Sequence, residues 1–137
     1  MRIKVNGKKK TSEIKDAFNE AFPFLKIEFV DKPHRPGEGT SLNHILSGNI
    51  AVHTINPDVP DDHITINPDQ TVASLEHRFS SHFGLPIQVF RKQHDIWIET
   101  TRTDKMSLQE QNELGRQNSS LPEHLEPGDR YLEDGQY

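Results

Sequence analysis

Two segments of this chain carry large apolar side chains at the same regular spacing. The spaced residues are Ile14, Phe18 and Phe22 in the first segment and Leu75, Phe79 and Phe83 in the second. A repeat of four residues places such side chains on one face of an α-helix. Alternating apolar and polar residues predict strands at 1–5 and 25–30, on either side of the first helix. The chain must therefore bury two similar helix faces against a sheet.

Turn and capping residues set the limits of the other predicted elements. Strands are predicted at 49–55, 63–67, 87–92 and 95–101, with a tight turn around Gln93 and His94 between the last two. The first helix is predicted to start at Thr11 or Ser12, and the second to start at Thr71 and end at Gly84. A third helix is predicted to start at a capping box formed by Ser107 with Glu110 and to end at Gly115.

The order of elements predicts an α+β two-layer sandwich. Two strand–helix–strand units that cannot each bury a helix alone are expected to pair, with both helices on one face of a single mixed sheet. This arrangement resembles the ferredoxin-like split βαβ domains, with a further strand and a short third helix added. The resemblance implies a fold and no particular activity.

A ubiquitin-like β-grasp is the alternative fold for residues 49–112. The resemblance depends on Pro68, Thr71 and Val72 before the second helix, Gly84 at its end, and Ser107-Leu108 after the strand pair. Ubiquitin-like modifiers end in Gly-Gly, whereas the last three residues here are Gly135-Gln136-Tyr137. The resemblance therefore implies the fold without the conjugation chemistry.

Charge and Pro/Gly content predict how the chain is divided. Residues 1–117 are predicted to form one domain, with a flexible loop at 31–48 that is rich in Pro and Gly. Residues 118–137 are predicted to form an acidic disordered tail, since five acids and one base follow Ser119. The remainder carries a net charge of about −1, which provides no overall field to attract nucleic acid.

Composition also narrows the function classes. The chain has no cysteine, which excludes disulfides, thiolate catalysis and cysteine-based zinc sites. No apolar run has the length of a signal sequence or a membrane span. We therefore expect a cytoplasmic protein with no membrane partner and no cofactor, and nucleic acid is not the expected partner.

The histidines do not have the spacing of a metal site. His77 and His82 are five residues apart, which places them roughly 140° apart around a helix, so they cannot bind one ion together. His53 and His63 would face each other only if their two predicted strands paired, with His94 in a nearby turn. No metal site is predicted, and no catalytic motif is present.

The loop at 31–48 is the candidate for a small-molecule site. Arg35, Gly37, Gly39 and Ser41 could surround a phosphate group, although the spacing is not that of a Walker or dinucleotide motif. A regulatory domain that binds a small molecule or nucleotide through these residues is the alternative function.

The last predicted hairpin carries the main candidate site. Ile87, Val89, Ile96 and Ile98 are expected under the helices, which leaves the other face of the hairpin to solvent. The candidate binding patch on that side consists of Phe90, Lys92, Trp97, Glu99 and Arg102. Loop or tail could cover the two aromatic residues, a protein could bind them, or single-stranded nucleic acid could stack on them. We favour a non-catalytic module that binds a protein partner, still unknown, through this patch.

Overall fold

Except at 49–55, the strands and helices follow the predicted order, in a computed structural model that describes residues 1–31 and 44–120. The elements are β1 Arg2–Val5, α1 Thr11–Ala21, β2 Leu25–Phe29, α2 Val52–Ile55, β3 Asp62–Thr65, α3 Val72–Phe83, β4 Ile87–Gln93, β5 Ile96–Glu99, a 3₁₀ turn Thr101–Thr103, and α4 Leu108–Ser120. The predicted α+β class is confirmed. Among these elements, no helix is both long and apolar enough to cross a membrane.

The strands form two antiparallel sheets rather than one mixed sheet. β1 pairs with β3, while β2, β4 and β5 form a three-stranded sheet in the order β2-β4-β5. The expectation of a single mixed sheet is therefore wrong for the described strands, because periodicity defines faces but does not encode neighbours. β1 and β3 are the strands before the helices of the two strand–helix–strand units, and β2 and β4 are the strands after them. Each strand therefore pairs with its counterpart in the other unit. Each sheet thus combines both halves of the chain.

The two apolar helix stripes form the core, as predicted. All six residues are buried, with Phe22 the most accessible at 6%. Phe79 contacts Phe29 of β2 in an edge-to-face arrangement, with 6.4 Å between the ring centroids. Side chains from β1, β3 and β4 complete the same cluster. Burial of large side chains contributes about 1.5–3 kcal/mol each, so this cluster is the main stabilising feature of the fold.

The ends of α3 and α4 use the predicted capping residues. The Thr71 hydroxyl accepts a hydrogen bond from the Ser74 N–H at 3.1 Å, and Gly84 ends α3 with φ of 63°. Ser107 and Glu110 form the reciprocal capping box of α4, with distances of 3.0 and 2.9 Å. These short-range signals depend on local chemistry alone, which is why they can be read from the sequence.

The first helix begins differently from the prediction. Lys10 is the N-cap residue of α1, and its N–H donates to the Glu13 carboxylate. Thr11 is buried, and its hydroxyl accepts from the Ile50 N–H at 3.3 Å. Neither Thr11 nor Ser12 caps the helix, because the Thr11 hydroxyl ties α1 to the chain that crosses its start.

The strand predicted at 49–55 is wrong. Val52–Ile55 form one helical turn, and the Val52 N–H donates to Lys9 O at 2.8 Å. The apolar residues here pack across the start of α1, so their alternation does not reflect a strand. His63 lies opposite Lys4 of β1, and therefore His53 and His63 do not face each other across paired strands.

Gly115 does not end the last helix, which continues to Ser120. A Cβ atom at Gly115 would lie 2.8 Å from Phe24 Cβ and 3.1 Å from Arg91 Cγ. The glycine therefore permits close approach of α4 to the sheet, and the first residues of the predicted tail are helical.

Candidate interaction face

Seven side chains project from one side of the three-stranded sheet. They belong to alternate positions of β2, β4 and β5: Lys26, Glu28, Gln88, Phe90, Lys92, Trp97 and Glu99. The strand register places Phe90 between Lys26 and Glu99, and it places Lys92 opposite Trp97. Side chains alternate along a strand, so this side is opposite to the one that packs Ile27 and Val89 into the core. We call these seven residues the Trp97 face.

Two lysines lie over the aromatic rings of the Trp97 face. Lys26 Nζ is 5.1 Å from the centroid of the Trp97 ring and 5.5 Å from that of Phe90. Lys92 Nζ is 5.9 Å from the Trp97 centroid. A cation at this distance from an exposed ring contributes about 0.5–1 kcal/mol. Two ammonium groups therefore lie within about 6 Å of the centre of the indole ring.

The charges of this face are only partly paired. Glu28 binds both Lys26 and Lys15 of α1, each at 3.1 Å, so one carboxylate serves two ammonium groups. Lys92 has no acidic partner within the part of the chain that the structure describes. The Trp97 face itself carries two lysines and two glutamates, and Lys15 of α1 adds one further ammonium group beside Glu28. With Lys15 included, this region carries one net positive charge, although the chain as a whole is acidic.

Accessibility increases along β4 toward Trp97. Gln88 is 1% exposed and Phe90 is 5% exposed, whereas Lys92, Trp97 and Glu99 are all half-buried. Phe90 was expected on a water-facing surface, but little of its ring is accessible. Trp97 is consequently the aromatic residue that a partner could contact directly.

Arg102 lies apart from the other predicted patch residues. It is exposed in the 3₁₀ turn that follows β5, next to Thr101, whose hydroxyl donates to Glu99 at 3.2 Å. The strand register brings Phe90, Lys92, Trp97 and Glu99 together and does not include Arg102.

A buried carboxylate fixes the point where β5 leaves the sheet. Glu76 of α3 accepts a hydrogen bond from the Val89 N–H at 3.0 Å. The Thr100 N–H and hydroxyl both donate to Val89 O, at 3.3 and 3.0 Å. Glu76 thus accepts the hydrogen bond of the Val89 N–H, which would bond to the backbone of β5 if that strand were longer.

The inward side of β5 extends beyond the core. Ile96 and Ile98 were expected under the helices, but Ile96 is 60% exposed and Ile98 is half-buried. The register explains the difference, because Ile98 lies opposite Arg91 and Ile96 lies opposite Gln93 at the end of the sheet.

The described histidines do not assemble a metal site. His82 Nε2 lies 2.8 Å from the Asp62 carboxylate, and this contact lowers the pKa of Asp62. His77 is exposed on another side of α3. Within the described ranges 1–31 and 44–120, no three His, Asp or Glu side chains lie close enough together to bind one metal ion. The other predicted site, Arg35, Gly37, Gly39 and Ser41, lies outside the described residues.

Comparisons with known proteins find no matching family model, no similar curated protein and no similar solved structure. Neither the ferredoxin-like nor the β-grasp resemblance is confirmed. Functional inference therefore depends on the geometry of the chain itself.

Lys26 and Glu28 are the members of the Trp97 face that the sequence did not reveal as part of the site. Their alternation with Ile27 and Phe29 already placed them on the outer side of a strand. What the sequence did not supply was the pairing of β2 with β4, which brings Lys26 over Trp97.

Proposed function

We propose that the protein is a non-catalytic interaction module that binds a protein partner through the Trp97 face. The observation that supports this proposal is the half-buried indole near Lys26 and Lys92 on the side of the sheet away from the core. Tryptophan is among the residues that most often dominate binding energy at protein interfaces. Lysine stems lie along such a ring while their charges remain near solvent.

A protein is a better match for this face than nucleic acid. Among the seven residues of the Trp97 face, only the ring of Trp97 is accessible, whereas single-stranded nucleic acid usually stacks on several rings along a basic groove. Glu28 and Glu99 also interrupt the positive charge, which disfavours a continuous phosphate backbone. An indole anchor with a mixed charged rim matches the usual composition of a protein interface.

The test is affinity capture with three forms of the full chain: wild type, Trp97→Ala and Ile96→Ala. Ile96 is a matched control, because it is an exposed apolar residue of the same strand on the opposite side of the sheet. Partners recovered with wild type and Ile96→Ala should be lost with Trp97→Ala. Loss of an anchor costs about 2 kcal/mol or more, which corresponds to roughly 30-fold in affinity.

Circular dichroism and urea unfolding check that all three proteins fold alike. If Trp97→Ala recovers every partner that the wild type recovers, with unchanged affinity, the proposal is wrong. If Ile96→Ala alone loses the partners, the interface lies on the other side of β5.

A further inference from the structure

The Trp97 face lies at the same end of the three-stranded sheet as the last turns of α4. Asn112 accepts a hydrogen bond from the Phe24 N–H at 2.9 Å, and Gly115 packs directly on Phe24. Phe24 O in turn accepts from the Lys92 N–H at 2.9 Å, and Lys92 lies opposite Trp97. α4 therefore packs beside Phe24, at the end of the row that includes Lys92 and Trp97, and it ends five residues after this contact, at Ser120.

The segment after Ser120 complements this face in charge and polarity. Residues 121–137 contain five acids and one base. They also contain apolar side chains that could cover an indole: Leu121, Leu125, Tyr131 and Leu132. The opposite charge is provided by the lysines of the Trp97 face, since Lys92 lacks an acidic partner among the described residues and Lys26 shares Glu28 with Lys15.

The length of this segment is sufficient for it to reach the face. α4 packs on the Arg91 side of the sheet, so the chain must pass around the sheet end to arrive at Trp97. Seventeen residues extend up to roughly 55 Å at about 3.3 Å per residue, which allows several of the acids to approach Lys26 and Lys92.

We propose that residues 121–137 are an intramolecular ligand of the Trp97 face and compete with its protein partner. This inference rests on the proposed function, because it regulates the same surface. The acids bind Lys92 and Lys26, while an apolar side chain covers the indole. Such an arrangement raises the local concentration of the internal ligand to the millimolar range, so only a tighter partner displaces it.

The test uses the full chain and its single tryptophan. One variant neutralises the segment: Glu123→Gln, Glu126→Gln, Asp129→Asn, Glu133→Gln and Asp134→Asn together. A control variant removes five acids from described exposed surfaces instead: Glu13→Gln, Asp16→Asn, Glu20→Gln, Asp58→Asn and Asp69→Asn. The readouts are Trp97 emission, acrylamide quenching and the indole N–H signal in NMR spectra.

Neutralising the segment should shift Trp97 emission to the red and raise the quenching constant, and the control variant should match wild type. Sodium chloride at about 1 M should have the same effect on wild type, because it shortens the Debye length to about 3 Å. It should have little effect on the neutralised variant. The Lys92→Glu chain should behave like the neutralised variant.

Identical emission, quenching and indole signals in wild type and the neutralised variant would overturn the inference. So would amide shifts confined to the exposed basic turn at Lys8–Lys10, since the segment would then bind elsewhere. Repeating affinity capture with the neutralised variant separates the two proposals. If wild type shows no binding of residues 121–137 to the Trp97 face while partner capture still depends on Trp97, only the inference is refuted. Capture that is independent of Trp97 in every variant refutes the proposed function.

Discussion

Gly84, at the end of α3, offers a quantitative test of the packing described above. A Cβ atom at this position would overlap Asn56 Nδ2, and φ of 63° places the residue in the left-handed region. Asn56 Nδ2 donates a hydrogen bond to Phe83 O at 2.8 Å. The Gly84→Ala substitution should therefore strain the backbone and also displace this asparagine.

The two effects can be assigned separate magnitudes. A left-handed conformation costs an alanine about 1–2 kcal/mol relative to glycine. Loss of the Asn56 hydrogen bond to a carbonyl costs a further 0.5–1.5 kcal/mol, roughly. Gly84→Ala should thus lower the free energy of unfolding by about 2–3 kcal/mol. In an Asn56→Ala background the overlap is removed, so the same substitution should cost only about 1–2 kcal/mol.

Urea unfolding of the wild type, the two single variants and the double variant measures this coupling. A coupling free energy of about 1 kcal/mol corresponds to a midpoint difference of about 0.5 M for a protein of this size. Equal costs of Gly84→Ala in both backgrounds would refute the contact between Gly84 and Asn56. A negligible cost in either background would refute the left-handed cap.

Three further predictions concern other contacts. Because the His82 contact lowers the pKa of Asp62, it stabilises the folded state above the ordinary carboxyl pKa range, and this stabilisation is lost as pH falls through the lowered pKa. His82→Ala should return the pKa of Asp62 toward 3.8 in an NMR titration. An unchanged pKa would contradict the pairing. Gly115→Ala should lower the free energy of unfolding by about 1 kcal/mol, because overpacking against Phe24 costs about 1–3 kcal/mol and the higher helix propensity of alanine contributes only about 1 kcal/mol. A variant that is more stable than wild type in urea would show that α4 has room for the methyl group. Burial lowers the pKa of Arg91, whose Nε has no hydrogen-bond partner among the described residues. Arg91→Met should therefore leave the free energy of unfolding within about 1 kcal/mol of wild type or raise it. A loss above about 2 kcal/mol would mean that the hydrogen bond from Arg91 to Gln111 outweighs the desolvation of the guanidinium.

The sequence was most informative where structure depends on neighbouring residues. The stripes ending at Phe22 and Phe83 and the capping residues Thr71 and Ser107 all occur as predicted, because each depends on a helical repeat or on a hydrogen bond within a few residues. Gly115 was misinterpreted because a glycine that ends a helix and one that permits close packing look the same in a sequence. Only the position of Phe24, more than eighty residues away, distinguishes the two roles.

The candidate site could be predicted only in part for the same reason. Alternation along β4 and β5 placed Phe90, Lys92, Trp97 and Glu99 on one side, and the strand register agrees. The alternation of side chains along a strand does not show which strand lies beside it, so Lys26 was not predicted to belong to the candidate site. It also cannot show that Ile96 lies past the end of the core, which depends on where β4 meets β2.

The pairing of β1 with β3 and of β2 with β4 has a consequence for how the chain can be divided or exchanged. Each sheet takes strands from residues 1–31 and from residues 44–120, so neither part can complete a sheet by itself. Two separately produced fragments, cut between these ranges, should each lack the β1–β3 and β2–β4 pairings when alone and should assemble when mixed. For the same reason, two intact chains at high concentration could form a domain-swapped dimer, in which residues 1–31 of one chain pair with residues 44–120 of the other. Such a dimer would preserve every strand pairing of the monomer.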